Sequence, residues 1–277
     1  MVSFAELTKE LPPENLLIVD SMNLAFRWKH RGSSVFADEY IRTVESLARS
    51  YDCGSIVIAA DWGGSSYRKN IFPEYKANRK ELYANQTPEE EEEAKKFFAE
   101  LGNTLERLEE KGYPVFRYKG VEADDIAAYL VDNMGTYLID KIWLISSDRD
   151  WDLLINDNVS RFSYVTRKEQ TVHTWDQDVS IEEYISLKCL TGDKGDNIPG
   201  IPGIGPKRAQ SLIEQYGDAL EICASCPLPG KYVYIKNLND NSDQIMINYQ
   251  LMDLLSTYKE AVGQENIADI HERMTRL

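Results

Sequence analysis

Gly120-Val121-Glu122-Ala123-Asp124-Asp125 places three carboxylates within four residues, ahead of an apolar series at Ala127, Leu130, Val131 and Met134 that closes at Gly135. The spacing is that of a helix with an acidic first turn. Acids at a helix N-terminus complement the backbone dipole, which accounts for one or two of them. Three acids with no cation among them repel one another, and a bound metal ion relieves that repulsion.

Other carboxylates stand in a regular relation to this turn. Leu16-Leu17-Ile18-Val19 ends in Asp20, and Ile56-Val57-Ile58-Ala59-Ala60 ends in Asp61. Ile142-Trp143-Leu144-Ile145 leads through two serines to Asp148, with Asp150 two residues on. Short apolar runs of this kind suit strands buried on both faces of a parallel sheet. One aspartate after a strand is commonly a cap or turn residue. Three of them beside an acidic helix start are better read as a ligand set, because α/β sheets gather ligands beyond the carboxyl ends of their strands. A set with no His or Cys selects a hard, oxygen-preferring ion, Mg²⁺ or Mn²⁺.

The 277 residues hold one large or two modest domains, and the alternation of helical and strand patterns predicts an α/β class. No apolar run reaches the length of a membrane span and no signal peptide opens the chain, so a cytoplasmic protein without membrane contact is expected. The net charge of −15 argues at first against a nucleic-acid partner. Nine of the acids, however, belong to the acidic motifs (Asp193 and Asp196 complete them), and five more form the run Glu89 to Glu93. The rest of the surface is close to neutral and has room for basic patches. The four cysteines and three histidines show no metal-binding spacing beyond a lone C-x-x-C at Cys223 and Cys226.

Two basic patches are legible. Residues 67–80 interleave Arg68, Lys69, Lys76, Arg79 and Lys80 with Tyr67, Phe72 and Tyr75, a pattern suited to single-stranded nucleic acid. The second follows Ser180-Ile181-Glu182-Glu183, a capping box that opens a helix to about Leu190. Next come Gly192-Asp193-Lys194-Gly195-Asp196-Asn197 and then Ile201-Pro202-Gly203-Ile204-Gly205-Pro206-Lys207-Arg208. Helix, glycine hairpin and a helix opened by two cations make a helix-hairpin-helix. Gly203 and Gly205 admit a phosphate to the backbone, and Lys207 and Arg208 hold it. Further expectations are helices from about Phe36 to Ser50 and from Glu89 to Lys111, the latter capped by Thr87 with Pro88 at its first position. Val115–Tyr118 reads as a short strand, and residues 160–165 pair with 171–175 as a hairpin.

These motifs resemble the 5′-nuclease superfamily, and most closely the bacteriophage-type flap endonucleases, over nearly the whole chain. The resemblance rests on Gly-Val-Glu-Ala-Asp-Asp at 120–125, Ser-Ser-Asp-Arg-Asp at 146–150, Gly-Asp-Lys-Gly-Asp-Asn-Ile at 192–198 and Phe-Pro-Glu-Tyr-Lys-Ala-Asn-Arg at 72–79. It implies a mostly parallel central sheet with flanking helices, a helical arch at about 66–111 that admits 5′ single strands, and a helix-hairpin-helix C-terminal region. The nuclease domain would be 1–178 and the helical region 179–277. The family implies one metal cluster of Asp20, Asp61, Glu122 and Asp124 and a second of Asp148, Asp150, Asp193 and Asp196, with Asp125 near both. Lys76, Arg79 and Tyr75 match arch residues that act on the scissile phosphate and flanking bases. Arg27 matches a basic substrate contact, and Arg68 falls in the same DNA-binding segment. One departure is that lysine is common in the family where Trp62 and Gly64 stand here.

The implied activity is cleavage of DNA at a 5′ flap or 5′ end beside a duplex by two or more Mg²⁺ ions, with Mn²⁺ as a substitute. The protein is expected to be a monomer that works beside a replicative DNA polymerase. Two other readings share the acidic strand ends. A small metal-dependent ribonuclease usually lacks the arch and the hairpin. A catalytically silent junction binder has no need of the full carboxylate set.

Overall fold

The computed structural model describes residues 14–79, 85–177 and 179–277. Six strands, β1 (Asn15–Asp20), β2 (Cys53–Ala60), β3 (Val115–Arg117), β4 (Lys141–Ile145), β5 (Val159–Ser163) and β6 (Lys168–Gln170), form one sheet in the order β3-β2-β1-β4-β5-β6. Every pairing is parallel except β5 with β6. The apolar runs behave as two-sided strands. Leu16 and Ile18 enter the core on one face, Leu17 and Val19 the core on the other, and Ile142/Leu144 and Trp143/Ile145 divide in the same way.

On one face lie α1 (Ser21–Lys29), α2 (Ala37–Ser50) and α4 (Pro88–Glu110), with Trp28, Tyr40, Val44, Phe97 and Leu101 against the sheet. On the other lies α5 (Ala123–Asp132), an apolar helix of which eight residues are buried. The short α3 (Ser66–Ile71) precedes the segment leading to α4. Helix α4 starts as its sequence dictates: the Thr87 side chain accepts from the Glu90 N–H, the Glu90 side chain accepts from the Thr87 N–H, and proline opens the first turn. Within the expected arch, residues 80–84 lie outside the described residues.

After β6 the chain becomes helical: α6 (Tyr184–Thr191), a two-residue antiparallel pair β7 (Gly192–Asp193) and β8 (Ile198–Pro199), then α7 (Pro206–Tyr216) and α8 (Ala219–Ala224). Helices α9 (Val233–Asp240) and α10 (Ser242–Met252) complete a third core with Cys189, Leu190, Leu212 and Ile222. The last two helices, α11 (Leu254–Val262) and α12 (Gln264–Met274), return to the sheet side. Leu254, Tyr258, Val262, Ile270 and Met274 pack in the same core as α5, and the Tyr258 hydroxyl donates to Asp132 at 2.6 Å.

Three local expectations are corrected. The strand that pairs with β5 is Lys168–Gln170, and 171–175 forms a turn in which Thr171 and Thr174 bond each other. Arg167 takes a positive φ of 59°, which closes the hairpin early. Ser180 and Glu183 exchange the capping-box bonds, yet the helix proper begins at Tyr184. Helix α5 stops at Asp132, and Gly135 sits inside a 3-10 turn rather than at the helix end.

The strand order places a switch point between β1 and β4, where the chain turns outward in both directions along the sheet. A crevice opens there beyond the carboxyl ends of the strands. Asp20 ends β1, Asp148 follows β4 and Asp61 follows β2, so the topology aims all three carboxylates at that crevice.

Candidate metal centre

Each acid is set by its local backbone. Asp20 caps α1: its Oδ1 accepts the Asn23 N–H at 3.1 Å, and its Oδ2 accepts the Ser146 hydroxyl at 2.8 Å across the switch point. Ser146 in turn accepts the Asp148 N–H at 3.1 Å. Asp61 accepts the Ala123 N–H at 2.8 Å, which joins the end of β2 to the start of α5. That junction needs a glycine. Gly120 has φ +80°, and a Cβ there would lie 2.1 Å from the Ser66 hydroxyl. Its carbonyl accepts the Ser66 N–H and its N–H donates to the Trp62 carbonyl.

The acidic turn itself gathers Glu122, Asp124 and Asp125, whose carboxylate oxygens lie within 4.8 Å of one another. Two of them are already partnered. Arg68 is only 2% exposed and bonds both oxygens of Asp125, at 2.7 and 2.8 Å. It also reaches Glu122 at 3.2 Å, while its Nε donates to the Leu251 carbonyl at 2.8 Å. Of the expected DNA-binding and catalytic residues, Arg68 is thus placed as a buried counter-ion. Asp125 is fully buried in a two-pronged ion pair with it.

Tyr75, expected to contact DNA, is largely buried, and its hydroxyl lies 2.9 Å from Glu122 and 3.1 Å from Asp196, bridging the two acidic groups. Lys76 and Arg79 do reach the crevice. Lys76 Nζ is 2.7 Å from Glu122 and 3.5 Å from Asp196, and Arg79 is 2.8 Å from Asp196. The Lys76 N–H also donates to the Asp196 carbonyl, fixing the segment to the loop between β7 and β8.

That loop carries Asp196, with Asp193 at its start, while Asp148 and Asp150 follow β4. Asp193 Oδ1 accepts the N–H groups of Gly195 and Asp196 at 2.8 and 3.2 Å, and Asp148 accepts the Asp150 N–H at 3.0 Å. Gly192 and Gly200 lie so close that a Cβ on Gly192 would meet the Gly200 nitrogen at 2.2 Å, so the tight pair needs both glycines. Asp124, Asp150, Asp193 and Asp196 line one enclosed space with Arg68 and Tyr75. The two expected groups of acids therefore adjoin, with Tyr75 and Lys76 between them.

Lys188 was not identified from the sequence. It is a buried lysine on α6 whose ammonium pairs with Asp150 and, at 3.1 Å, with Asp193. A single lysine among the apolar residues of a helix carries no signal, and only the packing of α6 against the loop reveals its role. Ser146 was likewise missed, since its hydroxyl acts across a strand pair that sequence does not show.

Burial, then the nearby Asp61, push the Asp20 carboxyl up to about 8. Burial also raises Asp61, Asp124 and Asp196. Burial alone would raise Glu122 and Asp193 as well, but Lys76 with Arg68 and Lys188 respectively outweigh it and hold them low. Clustered acids held up in this way are short of cations, and a bound ion would supply the missing charge. The donor set is all carboxylate oxygen, partly enclosed and lined up at strand ends, which fits a hard divalent ion.

The hairpin stands apart from this centre. Gly203, at φ +83°, and Gly205, Lys207 and Arg208 are all exposed at the start of α7. The Arg208 guanidinium bonds the Gly203 carbonyl and lies 4.7 Å over the Tyr234 ring. Arg27 lies 4.2 Å over the Tyr164 ring beside a cavity of about 670 Å³ that also holds Arg42 and Arg167.

Comparison with known proteins agrees with this geometry. Residues 15–184 match the 5′-3′ exonuclease N-terminal resolvase-like domain, and residues 179–271 match the 5′-3′ exonuclease C-terminal SAM fold. The chain is 42% identical over 266 residues to the flap endonuclease of Escherichia phage T5, covering 95% of this chain and 90% of that protein. A crystal structure of the phage T5 flap endonuclease in a pseudo-enzyme-product complex with DNA and metal ions superposes with a TM-score of 0.86 at 43% identity, covering 94% of this chain and 99% of that one. DNA polymerase I of Rhizobium leguminosarum is 33% identical over 179 residues, which are 62% of this chain and 16% of the polymerase. With both family models matched and a relative 42% identical over most of both chains, the chain belongs to the flap endonuclease and 5′-3′ exonuclease family of metal-dependent nucleases.

Proposed function

We propose that this protein hydrolyses DNA phosphodiesters where a 5′ single strand meets a duplex, acting as a monomer with Mg²⁺, for which Mn²⁺ substitutes. The observation that carries the reading is the convergence of acids from several strand ends with Lys76 and Arg79 on one crevice. Asp20, Asp61, Glu122 and Asp124 would hold one ion, and Asp148, Asp150, Asp193 and Asp196 a second. When bound, such ions activate water and stabilise the charge of a leaving oxygen.

The remaining work falls to the chain itself. Lys76 supplies a fixed cation beside the scissile phosphate, worth most as negative charge builds up in the transition state. Arg79, half exposed and tethered to Asp196, draws the phosphate backbone toward the crevice. Lys207, Arg208 and the hairpin backbone at Gly203 and Gly205 hold duplex phosphates without reading bases. Arg27, propped on Tyr164, adds a further backbone contact. The nuclease would comprise 1–178 and the duplex-holding region 179–277. The partial match to polymerase I supports action beside a DNA polymerase.

The test is a labelled 5′-flap DNA incubated with Mg²⁺, with an RNA flap in parallel. Products ending in 5′-phosphate and 3′-hydroxyl at the junction are expected, and the DNA flap should be cut. Cutting of RNA alone would move the protein to the ribonuclease reading, and no cutting at all would leave a junction binder.

A further inference from the structure

A cavity of about 620 Å³ opens beside the acidic crevice, between the loop after β2 and helix α4. Its floor includes Asp61, Glu122 and Lys76, but its outer walls are of a different kind. Trp62 is 49% exposed and Phe98 is 46% exposed, so two large, open aromatic side chains line the same cavity. Lys69, Arg79 and Arg117 line the same space.

The rings are held, not loose. The Trp62 backbone is tied on both sides: its N–H donates to Val121 at 3.4 Å and its carbonyl accepts from Gly120 at 2.7 Å. The Arg117 guanidinium lies 5.3 Å over the indole. Phe98 is braced edge-on by Phe97, at 5.3 Å between ring centres, and Phe97 is itself buried in the core beneath α4. Rigid aromatic faces cost little entropy on binding, and each is apolar surface kept wet unless a flat ligand covers it.

Flat apolar faces ringed by cations match the chemistry of single-stranded nucleic acid, with rings for bases and cations for phosphates. Resting on the nuclease reading above, we propose that Trp62 and Phe98 form a stacking pocket for the unpaired nucleotide next to the junction, with Lys69 and Arg117 taking its phosphate. The pocket adjoins Lys76 and Glu122, so a base lodged there sets the distance from the 5′ strand to the crevice. It thereby selects an unpaired nucleotide over a paired one, because a paired base has no free face to offer.

The test places 2-aminopurine at the first unpaired nucleotide of a 5′-flap DNA and follows its fluorescence and affinity in Ca²⁺, which holds back chemistry. The parent should quench the probe. Trp62→Ala should quench it far less and bind the flapped DNA about tenfold more weakly, the loss typical of one stacked base. Trp62→Phe should recover most of both, and Phe98→Ala should repeat the defect at a second wall. A duplex without the unpaired nucleotide should bind parent and Trp62→Ala alike. Equal quenching by Trp62→Ala and the parent would overturn the proposal, as would an equal loss of affinity on flapped and flapless DNA. Cleavage of the same flap by the parent in Mg²⁺ reads the nuclease function separately, so a parent that quenches without cutting would keep the pocket and fail the nuclease.

Discussion

Arg68 decides how the acidic turn is built. Its guanidinium neutralises Asp125 with two parallel bonds and, through Nε, ties the turn to the carbonyl of Leu251 in the last turn of α10. Removing one partner of a buried pair leaves the other charged and unsolvated. Arg68→Met should therefore cost about 3–5 kcal/mol in urea unfolding. Arg68→Lys should recover only part of that, since an ammonium cannot make the forked contact. A loss below about 1 kcal/mol for the methionine variant would show that the pair adds nothing. Asp124 is the contrasting residue, because among the described residues no side chain makes an ion pair with it. Asp124→Asn keeps the shape and removes the charge needed for an ion. Single-turnover cleavage should fall by at least ~10³, with flap binding in Ca²⁺ retained or tightened. Cleavage within tenfold of the parent would make the acidic turn structural.

At the scale of elements, the two basic segments should separate into chemistry and grip. The Lys76 segment is pinned to the acidic loop, while Lys207 and Arg208 stand exposed at the opening turn of α7. A group that acts mainly in the transition state lowers rate more than affinity. Lys76→Met should lose about 10²-fold or more in single-turnover rate with a modest loss of binding. Lys207→Ala combined with Arg208→Ala should lose affinity and flatten the salt dependence by up to about two in slope, yet cleave at nearly the parental rate when saturated. Binding at several salt concentrations beside single-turnover cleavage checks both. Equal losses of affinity alone in the two variants would reduce Lys76 to an ordinary phosphate contact.

For the whole molecule, the centre draws its acids from both the sheet and the helical region, so an ion there would bridge two parts of the chain. A ligand that binds only the folded state stabilises it by mass action, about 2.7 kcal/mol at a hundred times its dissociation constant. Thermal unfolding in Mg²⁺ should move upward relative to chelator, and cleavage should stop in chelator and return with Mg²⁺ or Mn²⁺. Full-rate cleavage in excess chelator would end the metal reading. Helices α11 and α12 add a second bridge, since they leave the helical core and pack on α5 beneath the acidic turn.

What the chain determined by itself follows from period and type. β-branched runs ending in aspartate can only be buried strands with polar ends, and Thr87-Pro88 followed by acids can only open a helix, so the sheet, α4 and the acidic strand ends were legible residue by residue. Gly203, Gly205, Lys207 and Arg208 were legible for the same reason, because a turn and a helix start are local. The partners of side chains were not. Arg68 and Tyr75 read as surface residues because a basic and aromatic run looks the same whether it faces solvent or a cluster of buried acids. Lys188 carried no signal, and Ser146 stood in a motif without its role showing, since each acts on a residue remote in the chain. Burial and long-range pairing belong to the packed molecule, where the deficit of cations among buried carboxylates determines which basic side chains are drawn inside and which are left for DNA.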